Sequence, residues 1–158
     1  MQLRKRLWRR PAKGSVAVEM AIILPIFLLL LAVPLYLARI FWVYSVSEKA
    51  AHDAARYLST ATQAEMRTTG GGFNEANVAA TARWIAQQEL EGVLSFTDVI
   101  IIDVQCNGGG CGVTLPATVH VGIQIALHDT LLDGMTSTLL GSSNMTLNSH
   151  ATFRYIAD

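Results

Sequence analysis

The chain has 158 residues, 51% of them apolar, with 12 basic and 12 acidic side chains and no net charge. That composition excludes intrinsic disorder, which needs low hydrophobicity and high net charge. The charge is also unevenly laid out. Arg4, Lys5, Arg6, Arg9, Arg10 and Lys13 fall in the first 14 residues, which hold no acid, and six cations face 12 anions in the remainder. Basic residues confined to a short leader do not line a folded face, so a nucleic-acid binder is excluded as well.

The next element is apolar. Met20 to Ala38 contains no charged residue. As a helix its 19 residues span roughly 28 Å, close to the hydrocarbon thickness of a bilayer. Ile40, Phe41, Trp42, Val43 and Tyr44 follow, a cluster suited to a membrane–water interface. The preceding cations predict a cytoplasmic N-terminus, with everything after Tyr44 outside. A cleaved secretory signal would have an apolar region of about 7–15 residues and a small-x-small site. Here the run is longer, and an aromatic segment stands where that site would be.

Glu19 sits at the edge of this run, in a stretch otherwise uncharged from Ser15 to Ala38. An ionised carboxylate in a membrane segment costs a few kcal/mol, so it marks function and calls for a partner. A cut after Gly14 would place a new α-amino group on Ser15. That amine could pair with Glu19 of the same chain or a neighbouring one, and so set the axial register of packed helices.

Residues 45–66 continue the helix. Val46, Ala50, Ala54, Tyr57, Leu58 and Ala61 recur at helical spacing. The other faces carry Glu48, Lys49, His52, Asp53 and Arg56, several of them i,i+4 neighbours. The spacing predicts one helix over about 15–66, with Pro25 and Pro34 free to kink its membrane half.

The run K-G-S-V-A-V-E-M-A-I-I-L-P-I-F-L-L-L-L, with a basic leader before it, resembles a type IV prepilin. More narrowly it resembles the TadE-like pseudopilins of the Tad (Flp) pilus system. Ala54-Ala55-Arg56-Tyr57 and the terminal Ala151-Thr152-Phe153-Arg154-Tyr155 fit the same pattern, while Met20 stands where the family has an aromatic residue. The resemblance is dense over residues 13–60 and the last dozen, and thin from 62 to 140. It implies a cut by a membrane prepilin peptidase between Gly14 and Ser15. It also implies the fifth-position assembly role for Glu19, and a minor-pilin role in adhesive pili.

Thr68 to Gly72 predicts a turn. It lacks the Lys-Ser/Thr of a phosphate-binding loop. Asn74 is the expected cap of a second helix, roughly Glu75 to Glu91, stopped at Gly92, with Val78, Ala82, Ile85 and Leu90 inward. Three strands follow: 98–105, 117–127 and 145–155. The second alternates cleanly, with Val119, Val121, Ile123, Ile125 and Leu127 on one face. The third puts Met145, Leu147, Ala151, Phe153 and Tyr155 on one face. Such patterning predicts half-buried antiparallel strands. Residues 130–143 read either as a short covering helix or loop, or as an exposed apolar patch.

Cys106 and Cys111 flank N-G-G-G between the first two strands. C-x4-C lacks the paired spacing of a zinc site and is not a C-x-x-C redox motif. Outside the cytoplasm, a disulfide stapling a hairpin tip is expected, with free thiols as the alternative. Asn107 and the glycines supply the positive φ angles of a tight loop. Of the four histidines, His120 and His128 lie eight residues apart on one strand, roughly 27 Å. His120 and His150 could meet across the sheet, although separate solvated histidines are the plainer reading. No G-x-S-x-G, H-E-x-x-H or paired-carboxylate pattern is present, so neither an enzyme nor a cofactor or metal site is expected.

The fold expected is α+β: a long N-terminal transmembrane helix continuing as a spine, a second helix, then an antiparallel sheet of three or more strands. Residues 1–14 are the leader to be removed, 15–44 the transmembrane helix, and 45–158 the extracytoplasmic domain. The expected location is the bacterial inner membrane, single pass, with the head periplasmic. The expected partners are the prepilin peptidase, other Tad pilins and pseudopilins, membrane lipid and the inner-membrane assembly platform. The competing reading is an unprocessed single-pass envelope protein whose head binds a partner or ligand.

Overall fold

The computed structural model describes residues 13–70, 76–112, 114–128 and 144–156, and the chain divides into two compact units, residues 1–39 and 40–158. In chain order the elements are α1 (Lys13–Thr60), α2 (Gln63–Arg67), α3 (Asn77–Leu90), a 3₁₀ turn (Glu91–Phe96), β1 (Thr97–Cys106), β2 (Thr118–His128) and β3 (Asn144–Arg154). The class is α+β, as the sequence predicts.

The described part of the first unit is the N-terminal part of α1. Its residues are overwhelmingly Leu, Ile, Val, Ala and Phe, and the helix runs through both Pro25 and Pro34. Each proline removes one donor, leaving the carbonyls of Ala21 and Leu30 without their i+4 partners. Among the described residues no other helix of the first unit covers this stretch, and most of its side chains are exposed, with Ala32 and Tyr36 half-buried.

The second unit has a core of helix on sheet. The strand order is β1-β2-β3, all antiparallel, with β2 in the centre. Val119, Val121, Ile123 and Ile125 of β2 are buried in one core with Leu58, Met66, Leu90 and Val93. The alternation of β2 therefore sorts as the sequence predicts. The later part of α1 turns Val43, Ser47, Ala50, Ala51, Ala54, Ala55 and Leu58 inward. These small side chains fall at i, i+4, i+7, i+8, a single helical stripe. Alanine there lets the helix backbone approach closely while losing almost no side-chain entropy. The buried stripe is rotated from the predicted one, since Val46 and Tyr57 lie at its margin and Ser47, Ala51 and Ala55 lie within it.

The helix expected to run to Met66 instead stops at Thr60. Thr62 adopts extended backbone and caps α2. Its hydroxyl accepts from the Glu65 N–H while the Glu65 carboxylate accepts from the Thr62 N–H at 2.9 Å and from its hydroxyl at 2.8 Å. This T-x-x-E capping box outcompetes continuation of α1. Those bonds hold the Glu65 carboxyl below its ordinary pKa, the backbone bond contributing most.

The second predicted helix is α3, which begins later than expected. Ala76 is its N-cap, without a side-chain hydrogen bond. Asn74 and Glu75, the expected cap and first residue, lie outside the described residues, as do Gly71, Gly72 and the segment 130–143. Gly92 does not end the helical stretch; the chain tightens into the 3₁₀ turn and reaches extended backbone at Thr97.

Candidate functional site

The structure places Gly14 and Ser15 on helical backbone at the start of α1, with Glu19 four residues beyond Ser15. Residues i and i+4 lie one above the other on a helix face, so an amine on Ser15 and the Glu19 carboxylate are neighbours along the axis. Glu19 is exposed and makes no ion pair among the described residues. The surrounding surface is apolar. Fourteen Leu, Ile, Val and Phe side chains between Val16 and Leu37 are exposed, Leu30 at 69%. At ~0.3–0.6 kcal/mol each on the insertion scale they favour the bilayer by ~4–8 kcal/mol in total. A carboxylate costs about 3 kcal/mol even at the bilayer centre on that scale, so Glu19 does not prevent insertion. The helix is long and apolar enough to cross a membrane, and it fits a single-pass membrane protein.

The second predicted feature belongs to the other unit. Cys106 and Cys111 form a disulfide, with Cα atoms 4.8 Å apart. The chain reverses at Asn107 (φ 54°) and Gly108 (φ 82°). Two successive positive φ angles define the tight turn that Asn-Gly favours. Cys106 and Gly109 exchange backbone hydrogen bonds of 2.7 and 3.0 Å across it. The Asn107 carboxamide oxygen accepts from the N–H groups of Ala117 and Thr118, at 2.8 and 3.1 Å. One side chain thus ties the loop back to the start of β2. The Ala76 N–H donates to the Cys111 carbonyl at 2.9 Å, which anchors the loop at the entry to α3.

With this geometry in place, a likeness to a known family is found in the N-terminal part. Residues 14–56 match a family model described as TadE-like protein. This segment is TadE-like. Comparison with curated proteins and with solved structures finds no match. The TadE-like stretch opens at Gly14, includes Glu19, and covers α1 almost to its end. It contains the apolar surface of the first unit and the alanine stripe up to Ala55, while the sheet and the disulfide loop lie beyond it.

Sequence reasoning missed several tertiary links. Lys49 of α1 pairs with Asp53 at the i,i+4 spacing the sequence predicts, and also reaches Glu89 of α3, which the sequence does not predict. The Glu89 carboxylate raises the Lys49 pKa. Both partners are exposed, so the pair is a weak clamp. The ring of His52 packs edge-to-face on Phe153, 5.7 Å between centroids. The Tyr155 hydroxyl donates to the Ala61 carbonyl at 2.8 Å, and burial raises its pKa. Such links depend on how segments distant in sequence pack together, which no local sequence pattern reveals. Register also decides the outer face of the sheet, where His120 and His150 come to 5.9 Å between ring centroids. The His128 side chain lies outside the described residues. Among the described residues no cluster of three or more His, Cys, Asp or Glu side chains is placed to hold a metal ion.

Proposed function

We propose that this chain is a minor pilin or pseudopilin that takes part in assembling Tad (Flp) adhesive pili, and that it has no enzymatic role. The observation that carries the reading is the TadE-like match that begins at Gly14 and includes Glu19. The chemistry of the role is helix packing. Prepilin peptidase cuts between Gly14 and Ser15, removing the basic leader. The new amine on Ser15 then neutralises Glu19, on the same chain or on the helix beside it. A carboxylate carried into a bilayer or a helical core needs such a partner, and the pairing fixes the axial offset between subunits. The N-terminus lies in the cytoplasm, the head lies beyond the inner membrane, and the partners are other Tad pilins and the assembly platform. The exposed apolar side chains of α1 support this reading, because they require lipid or other helices around them.

Intact-mass measurement or N-terminal sequencing, from a host that carries the peptidase, tests the processing step. The expected first residue is Ser15. A mature chain still beginning at Met1 would refute the cut and leave an anchored envelope protein. Replacing Glu19 with Ala tests the assembly role separately: pili are lost while the subunit still reaches the membrane. Normal piliation in that variant would remove Glu19 from the mechanism.

A further inference from the structure

We propose that the outer face of the sheet carries a divalent transition-metal site whose protein ligands are His120 and His150. The two residues sit on neighbouring strands. His120 pairs with Thr152, and Gly122 pairs with His150, so the two histidines are diagonal neighbours on one face. Their ring centroids are 5.9 Å apart with planes inclined at 37°. Two imidazoles sharing one tetrahedral ion at ~2.0–2.1 Å per nitrogen place their ring centres about 5 Å apart. Side-chain rotations of a few degrees on an open surface close that difference.

Three further features favour coordination over chance proximity. The first is the bond to Thr152, whose Oγ1 lies 2.8 Å from His120 Nδ1. When Nδ1–H donates to that hydroxyl, the lone pair is on Nε2, the tautomer a metal requires. An outer partner on the far ring nitrogen is the usual companion of a ligating histidine. The second is Gly122. A Cβ there would lie 3.5 Å from His120 Nε2, so this nitrogen is aimed over the one residue of the row that has no side chain. The space above it is a depression lined by Asp103, His120, Gly122, Gln124, Asn148 and His150. The third is charge. Asp103 pairs with Gly122 from the other side and accepts a hydrogen bond from Gln105. Its carboxylate adds negative charge to the lining of the depression.

Two neutral imidazoles with water completing the shell suit a borderline ion such as zinc or copper, and disfavour calcium or magnesium, which select oxygen. The test uses the full chain, free of any affinity tag, in detergent micelles, titrated with zinc chloride in a calorimeter. One equivalent binds. His120→Gln and His150→Gln each weaken that step by about tenfold or more, and Thr152→Val by roughly tenfold. Gly122→Val, which keeps both ligands and fills the depression, also weakens it. His52→Gln leaves it unchanged. The proposal is overturned if no saturable step is seen, or if both histidine substitutions leave the affinity within about twofold. It is equally overturned if the His52 variant is the one that loses binding.

Discussion

Opening the Cys106–Cys111 bridge is the perturbation whose size the structure defines best. The bridge closes a short loop, with a sequence separation of 5. Cross-linking a loop of about six residues removes ~2 kcal/mol of chain entropy from the denatured state. In the folded state the loop keeps its other ties, the Asn107 carboxamide to Ala117 and Thr118 and the Ala76 N–H to the Cys111 carbonyl. Reduction therefore leaves the native loop in place and acts chiefly on the denatured chain. For a domain of this size ~2 kcal/mol lowers Tm by about 8 °C. The assay is thermal unfolding of the intact chain in mild detergent, followed by near-UV circular dichroism with and without a phosphine reductant. A Cys106→Ala, Cys111→Ala double variant should melt like the reduced protein and ignore the reductant. Two results would refute the reasoning: a reduced protein melting within ~2 °C of the oxidised one, or a double variant that still responds to reductant.

Three further outcomes are expected in the same assay or by NMR. Ile125, fully buried at the centre of β2, should cost ~3–4 kcal/mol when replaced by Ala; a loss near zero would contradict its place in the core. Ser149 is buried, and its hydroxyl has no hydrogen-bond partner among the described residues. Ser149→Ala should therefore raise stability by ~1 kcal/mol, whereas a clear loss would reveal a partner. Thr62→Ala should cost ~1 kcal/mol by uncapping α2, and loss of the hydroxyl bond, the smaller of the two causes, should raise the Glu65 titration midpoint part of the way towards the ordinary value. Because the folded Glu65 pKa is depressed, its contribution is present above the unfolded value and is lost as pH falls through the folded one. The residue-62 N–H bond survives the substitution, so an unmoved midpoint would show that the Thr62 hydroxyl takes no part in the shift.

The fold was legible where one periodicity dominates. Val119 to Leu127 alternates without interruption, and β2 is the central strand with that face inward. Asn107 and Gly108 announced their turn because few other residues adopt two positive φ angles in succession. The end of α1 was misread although its signal was present, since Thr62 and Glu65 stand at capping-box spacing within a segment that otherwise reads as helical. The buried stripe of α1 was misplaced for another reason. Ser47 is polar by type, yet its hydroxyl bonds the Tyr44 carbonyl and so goes inside without penalty. In the candidate site, Gly14, Ser15 and Glu19 were visible as a local pattern. The meeting of His120 with His150 needed the β2–β3 register, a non-local property.

The fastening of β3 has a consequence for biosynthesis. The Ile156 N–H donates to the Ser59 carbonyl, and the Tyr155 N–H to the Ala117 carbonyl, both at 3.0 Å. The last strand therefore completes the sheet and locks the end of α1 at the same time. Until it emerges, β2 has a partner on one edge only. At ~5–20 residues per second, translation from His128 to Ile156 takes about 1–6 s. Throughout that interval a nascent chain presents the Val119–Leu127 strand with an open edge and a dry face, the combination that recruits chaperones or pairs with another unfinished copy. Translation pauses between codons 128 and 156 would lengthen that exposure, so codon usage across this stretch, as well as the protein sequence, should govern how much of the subunit reaches its folded form.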